Sequence, residues 1–233
     1  MGGDAYRIDY IFYFDDDTCK EFEIIIDSST ISSIHPEQES KPEWARLECN
    51  QCSCCFFKKE EHPYCPISVN IATLVEEFKD TNSYENCLVR CVTTERTYQK
   101  KTSIQEGLSS ILGIMMATSN CPIMYPFRPM ARFHLPFSTV EETLVRTTSI
   151  YLLRQYFEHK KGNNADIELK KLDEHYQKVR IVNNHLLQRI NSIAEKDADK
   201  NAIITFHSLT QILNMQITAS LNSLEYLYDL EFT

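Results

Sequence analysis

Cysteines crowd one short stretch of this chain, and this crowding limits what the chain can fold into more than any other feature. Five of the nine cysteines lie in residues 49–65, which read CNQCSCCFFKKEEHPYC. Such density indicates either a disulfide framework or a metal site. A chain of 233 residues buries an ample core without disulfides, and an odd number of cysteines fits complete pairing poorly. We therefore favour a metal site.

The expected compartment agrees with metal binding. No basic stretch followed by an apolar run opens the chain, so we expect no secretion signal. Tyr6 stands where a myristoylation signal would need Ser or Thr. We predict a cytoplasmic protein, and in that reducing compartment clustered thiols bind metal more often than they pair.

Four cysteines have the spacing of a metal site. Two residues separate Cys52 from Cys55, so both sulfurs can reach one ion from a tight turn. Cys65 is close by, and Cys121 is the best distant ligand because residues 120–123 (NCPI) echo residues 64–67 (YCPI). We predict zinc at Cys52, Cys55, Cys65 and Cys121. A [4Fe–4S] cluster is the competitor, because Pro follows cluster-binding cysteines in some iron–sulfur proteins.

Other interpretations of the cysteines stay open. If one proposed ligand is wrong, its substitutes are Cys49, Cys54, His62 and His134. The simplest alternative is that the thiols are small buried hydrophobes or lie free at the surface. We expect Cys19, Cys87 and Cys91, which lie on the predicted strands or hairpin, to be core residues. Four thiolates would form a closed shell around zinc, which is typical of structural rather than catalytic sites.

The charge distribution argues against general nucleic-acid binding. The net charge is −9, and residues 1–50 carry twelve acidic against four basic side chains. Residues 87–135 reverse this balance with six basic against two acidic side chains. Arginine suits bidentate contact with phosphate or carboxylate, so we name an anion-site set there: Arg96, Arg128, Arg132 and His134. Solvated surface charge is the simpler explanation for the same residues.

Hydrophobic periodicity predicts an α+β fold. Apolar residues alternate over residues 6–14 and 22–26 around an Asp-rich turn, which predicts a hairpin, and residues 87–94 predict a further strand. Helical spacing follows Pro66, Ser103, a capping box of Ser138 with Glu141, and Asp166. We expect a small amino-terminal antiparallel sheet with a cysteine metal knuckle in residues 1–100 and a mainly helical bundle in residues 101–233. The two parts are expected to form one continuous compact unit.

Residues 201–224 contain no Asp, Glu, Lys or Arg. A membrane span is disfavoured, because twelve of these residues are Asn, Gln, Ser, Thr or His. A series of mostly apolar residues alternates steps of four and three, the pattern of a packed helical seam: Phe206, Thr210, Leu213, Ile217, Ser220, Leu224 and Leu227. We predict a central core helix or a helix that forms a homodimer.

No motif of a known enzyme class is present. Walker and dinucleotide loops need glycines, and only Gly107, Gly113 and Gly162 lie beyond the amino terminus. The sequence contains neither G-x-S-x-G nor H-E-x-x-H. We therefore favour a non-enzymatic, metal-stabilised module that acts through a protein partner or self-association. An anion sensor or enzyme at the arginine segment, or an iron–sulfur redox sensor, is the alternative.

Three segments carry a resemblance to a known family: residues 93–100 (TTERTYQK), residues 107–146 (GLSSILGIMMATSNCPIMYPFRPMARFHLPFSTVEETLVR) and residues 149–162 (SIYLLRQYFEHKKG). The chain resembles an uncharacterised family of bacterial cytoplasmic proteins, a domain of unknown function, over nearly its whole length. The resemblance implies cysteines at positions 52, 55, 65 and 121. It also implies Pro after the second cysteine, where this chain has Phe56.

Overall fold

The computed structural model describes residues 5–34, 41–193, 221 and 224–227. An antiparallel sheet in the order β3-β2-β1-β4-β5 is built from β1 (Ala5–Tyr13), β2 (Cys19–Asp27), β3 (Ser33–Ile34), β4 (Asn86–Thr93) and β5 (Thr97–Ser103). The predicted hairpin is confirmed, with Tyr10 opposite Phe22 across β1 and β2. The α+β class is confirmed as well, because mostly helical structure follows the sheet.

Six α-helices lie in the described residues: α1 (Pro66–Asn70), α2 (Ala72–Phe78), α3 (Ile104–Thr118), α4 (Arg128–Arg132), α5 (Val140–Lys160) and α6 (Lys170–Asn191). Short 3-10 helices occupy Glu43–Ala45, Tyr125–Phe127 and Glu225–Leu227. The helix predicted from Asp166 begins at Lys170, with Leu169 at the N-cap, and the Asp166 carboxylate accepts the backbone N–H groups of Lys170 and Lys171.

One face of the sheet forms the main core. Ile8, Tyr10 and Phe12 alternate along β1 and are fully buried against α3. Gly107 of α3 lies so close to the sheet that a Cβ atom there would stand 2.5 Å from Phe12 Cε1 and 2.8 Å from Val89 Cγ2. The helix can therefore reach this depth only because residue 107 has no side chain.

Some local predictions were wrong. Thr139, not Ser138, caps α5, and it forms the capping box with Glu142. Cys19 was expected in the core but is exposed, whereas Cys87 and Cys91 are buried as expected.

A second, smaller core packs α5 against α6. Its buried members are Leu144, Leu169, Leu172, Tyr176 and Leu224. The uncharged helix predicted for residues 201–224 lies outside the described residues, apart from Leu221 and Leu224. Within the part of the chain that the structure describes, every helix is too short or too polar to cross a membrane.

Candidate metal centre

The four predicted ligands line one cavity. Cys52, Cys55, Cys65 and Cys121 all contribute to its wall, although 56 residues separate the third from the fourth in sequence. Each of the other three thiols is close enough to Cys52 to act on it electrostatically. All nine cysteines of the chain are free thiols.

Backbone pairing positions the first three cysteines. The N–H of Leu47 donates to Pro63 O at 2.8 Å, and the N–H of Cys65 donates to Ala45 O at 2.8 Å. These two bonds close residues 48–62 into a loop that carries the CxxC turn. Within that turn the N–H of Cys55 donates to Cys52 O at 2.9 Å. The two thiols of the CxxC pair are thereby held on the same side as Cys65.

Two Cys-Pro-Ile segments face each other across the cavity wall. Cys65 is the residue before α1, and Pro66 occupies the first turn of that helix, where its missing N–H costs nothing. Cys121 leads into a turn in which the N–H of Met124 donates to Cys121 O at 2.9 Å. Both Pro-Ile pairs line the cavity. The sequence echo that singled out Cys121 therefore corresponds to a spatial pairing.

Helix α6 closes the remaining side, and it supplies a residue that the sequence interpretation missed. Val182, Leu186 and Arg189 line the cavity at spacings of four and three, which places them on one helix face. Arg189 is only 2% exposed. The sequence did contain a signal, since Arg189 continues the helical spacing of the apolar residues Val182 and Leu186. Helical periodicity alone, however, cannot distinguish a buried arginine from one at the edge of an apolar face.

Burial keeps two of these thiols protonated. Burial raises the pKa of Cys52 and of Cys121 to about 12. Backbone N–H groups of Ile123 and Met124 oppose this effect at Cys121, because hydrogen bonds to sulfur favour the thiolate and lower its pKa. An ion that binds here must therefore displace protons, as zinc does when it coordinates cysteine.

The space suits a small occupant. The cavity has a volume of about 30 Å³, and roughly 10–15 Å³ is enough to hold one water molecule. Among the described residues, no set of three or more His, Cys, Asp or Glu side chains is already arranged to hold a metal ion. Since zinc holds sulfur at about 2.3 Å, metal binding would require the thiols to draw together.

The substitute ligands are placed unequally. Cys54 lines the cavity, and its thiol points to Lys178 O at 3.8 Å. The Cys49 thiol points to Glu43 O at 3.5 Å, and the exposed His62 ring lies 4.1 Å from that of Phe57. His134 lies against the sheet, where its Nε2 is 2.5 Å from the Tyr10 hydroxyl. Of the four, only Cys54 shares the cavity.

The structure does not gather the proposed anion-site residues into one site. Arg128 donates to Thr30 O at 2.9 Å and lies over the Tyr125 ring. Arg132 lies over the Tyr6 ring, and Tyr6 also acts electrostatically on Arg96, so these two arginines lie near the same side chain.

His134 stays neutral at ordinary pH. Burial, helped by the nearby Arg146 charge, lowers its pKa to about 3. Its ring and the Ser110 hydroxyl both contact the Tyr10 hydroxyl. This arrangement is a hydrogen-bonded part of the core, separate from the three arginines.

The fold and the cavity together define an α+β protein in which the cysteine loop, the start of α1, the Cys121 turn and α6 surround a cluster of thiols. The chain belongs to the family described as "Domain of unknown function (DUF6901)", whose model matches residues 8–229. The uncharacterised family expected from the resemblance is thus confirmed. No curated protein and no solved structure matches the chain significantly.

Proposed function

We propose that this protein is a structural zinc module in which Cys52, Cys55, Cys65 and Cys121 hold the ion. The observation that carries the proposal is the convergence of these thiols, from two distant parts of the chain, on one enclosed cavity. Apolar side chains alone could fill a core of this size, so the gathering of thiols there supports a role as metal ligands. Four thiolates close the zinc coordination shell, which supports a structural rather than a catalytic role.

The size of the cavity favours zinc over the iron–sulfur alternative. A single ion needs little more space than a water molecule, and the cavity of about 30 Å³ meets that need. A [4Fe–4S] cluster has eight atoms and would require the walls to move apart. Zinc binding requires the opposite movement, a contraction of the four thiols around one centre.

We further propose that the module works in a reducing cytoplasm and binds a protein partner or a second copy of itself. Leu153, Tyr156 and Phe157 on α5 are each more than half exposed, and aromatic residues are enriched where proteins bind each other. The acidic amino-terminal part argues against general nucleic-acid binding. The proposal requires no membrane contact.

Elemental analysis of the full chain, purified without added metal under reducing conditions, tests the proposal. We expect one zinc per chain and a colourless protein. Cys121→Ala should lose the zinc, whereas Cys19→Ala should retain it, because Cys19 is exposed on β2, outside the cavity. Iron with sulfide and a brown colour would identify an iron–sulfur cluster instead of zinc. A metal-free wild-type protein would overturn the proposal.

A further inference from the structure

Among the described residues, Arg189 is the one charged side chain in the wall of the thiol cavity. It emerges from α6 and is 2% exposed. Its guanidinium donates to Trp44 O at 3.0 Å, Arg46 O at 2.6 Å and Leu47 O at 3.0 Å. These carbonyls belong to residues 44–47, the segment that leads directly into the cysteine loop. Arg189 thus joins α6 to the base of that loop.

The charge of Arg189 lacks a described counter-ion. Arginine keeps its proton in proteins, and a buried ion without an opposite charge is strongly unfavourable. The salt bridges of the described residues all lie elsewhere. The three carbonyl oxygens accept hydrogen bonds from three of the five N–H groups, but they do not neutralise the charge.

A metal–thiolate centre would supply the missing negative charge. Two positive charges on zinc leave four thiolates with two negative charges in excess. That excess would lie inside the cavity that Arg189 lines. Groups around a metal's ligands commonly tune its affinity in this way.

We propose that Arg189 is the buried counter-charge of the metal–thiolate centre and a positioning residue that couples metal binding to the docking of α6. The inference rests on the proposed function, since it needs a metal in the cavity. The coupling is reciprocal: the positive charge favours the loaded centre, and the loaded centre favours burial of Arg189. Metal loss should therefore loosen the contact between α6 and residues 44–47.

The test measures zinc affinity of the full chain by chelator competition in wild type, Arg189→Gln and Arg189→Lys. Gln removes the charge, whereas Lys keeps the charge but loses the planar fork. Arg146→Gln is the matched control, because Arg146 also donates to two backbone carbonyls, Met130 O and Phe133 O, but lies outside the cavity wall. We expect Arg189→Gln to weaken zinc binding about 10- to 100-fold, Arg189→Lys about threefold or less, and Arg146→Gln to leave it unchanged.

Each of the other outcomes overturns either the counter-charge role of Arg189 or the metal centre. Equal losses in Arg189→Gln and Arg189→Lys would assign the effect to hydrogen-bond geometry and overturn the counter-charge. Wild-type affinity in Arg189→Gln would overturn it too, while leaving the zinc centre intact. A wild-type chain that takes up no zinc would instead overturn the centre itself.

A folding defect would not obscure the result. If Arg189→Gln folds only with metal, the zinc concentration at half refolding replaces the chelator measurement. A midpoint at least about tenfold above that of Arg146→Gln supports the proposal. Equal midpoints overturn it.

Discussion

Cysteine plays different parts in two regions of this molecule. In the sheet core, Cys87 and Cys91 alternate with exposed or half-buried residues along β4 and lie on its buried face beside Val89. In the thiol cavity, the cysteines sit on turns and at the start of α1, around a space that remains open. A cysteine in step with strand alternation therefore behaves as a small hydrophobe. Under the proposed function, the cysteines gathered from turns serve as metal ligands instead.

The largest effect should come from the sheet core and should not depend on metal. Phe12 is fully buried, with its ring centroid 5.1 Å from that of Phe78 and 6.1 Å from that of Phe22. We expect Phe12→Ala to lower the free energy of unfolding by about 3–5 kcal/mol, measured by urea denaturation with and without chelator. Phe133→Ala is the control, because Phe133 is 70% exposed and its loss should change stability by less than about 0.5 kcal/mol. If the stability loss in Phe12→Ala changed strongly with chelator, the sheet core and the thiol cavity would not be energetically independent.

Removal of the metal should lower the stability contributed by the thiol cavity and leave that of the sheet core unchanged. At a zinc concentration about 1,000-fold above its Kd, binding adds about 4 kcal/mol to the free energy of unfolding. We expect Cys121→Ala to lose this gain, and Cys91→Ala to keep it while costing about 1 kcal/mol with or without zinc. Paired urea titrations measure both. Equal stabilisation of the two variants by zinc would show that Cys121 is no ligand.

Gly107 tests how tightly the sheet core is closed. Gly107→Ala gains about 1 kcal/mol in helix propensity, but its Cβ would overlap Phe12 and Val89, which costs about 1–3 kcal/mol. We expect a net loss of about 1 kcal/mol. In a Phe12→Leu background the overlap is relieved, so the two changes should be less than additive in a double-mutant cycle. Strict additivity would mean that α3 shifts away from the sheet instead.

Near neutral pH, the smallest effect should be the protonation of His134 in the sheet core. Burial lowers the pKa of His134 from its ordinary 6.5 to about 3, so the unfolded chain binds a proton more readily than the folded one. His134 therefore costs no stability above pH 6.5, and its contribution becomes progressively unfavourable as pH falls from 6.5 towards 3. His134→Gln should flatten this part of the stability profile, measured by urea denaturation across that range. An unchanged slope would place the titration elsewhere.

Local sequence patterns predicted those elements whose structure is set by neighbouring residues. Alternation along residues 6–14 and 22–26 predicted the hairpin because one buried face fixes the register. The α5 cap was wrong by one residue because Ser138 with Glu141 and Thr139 with Glu142 both satisfy the capping pattern. Backbone geometry selects the second pair, since Phe137 has a positive φ and Thr139 is the last extended residue.

The candidate site was predictable only in part. The Cys-Pro-Ile echo led to Cys121, which lines the same cavity as Cys65. Arg189 was missed because its role depends on three carbonyls more than 140 residues away in sequence. Neighbouring Cys54 and Cys55 both reach the cavity, and spacing alone favoured Cys55 through the CxxC turn.

X-ray absorption at the zinc edge of the purified full chain tests the central claim most directly. We predict a shell of four sulfur atoms at about 2.3 Å, reduced to three in Cys121→Ser with oxygen or nitrogen in the fourth place. A shell of oxygen and nitrogen atoms in the wild-type protein, or four sulfurs retained in Cys121→Ser, would contradict the account.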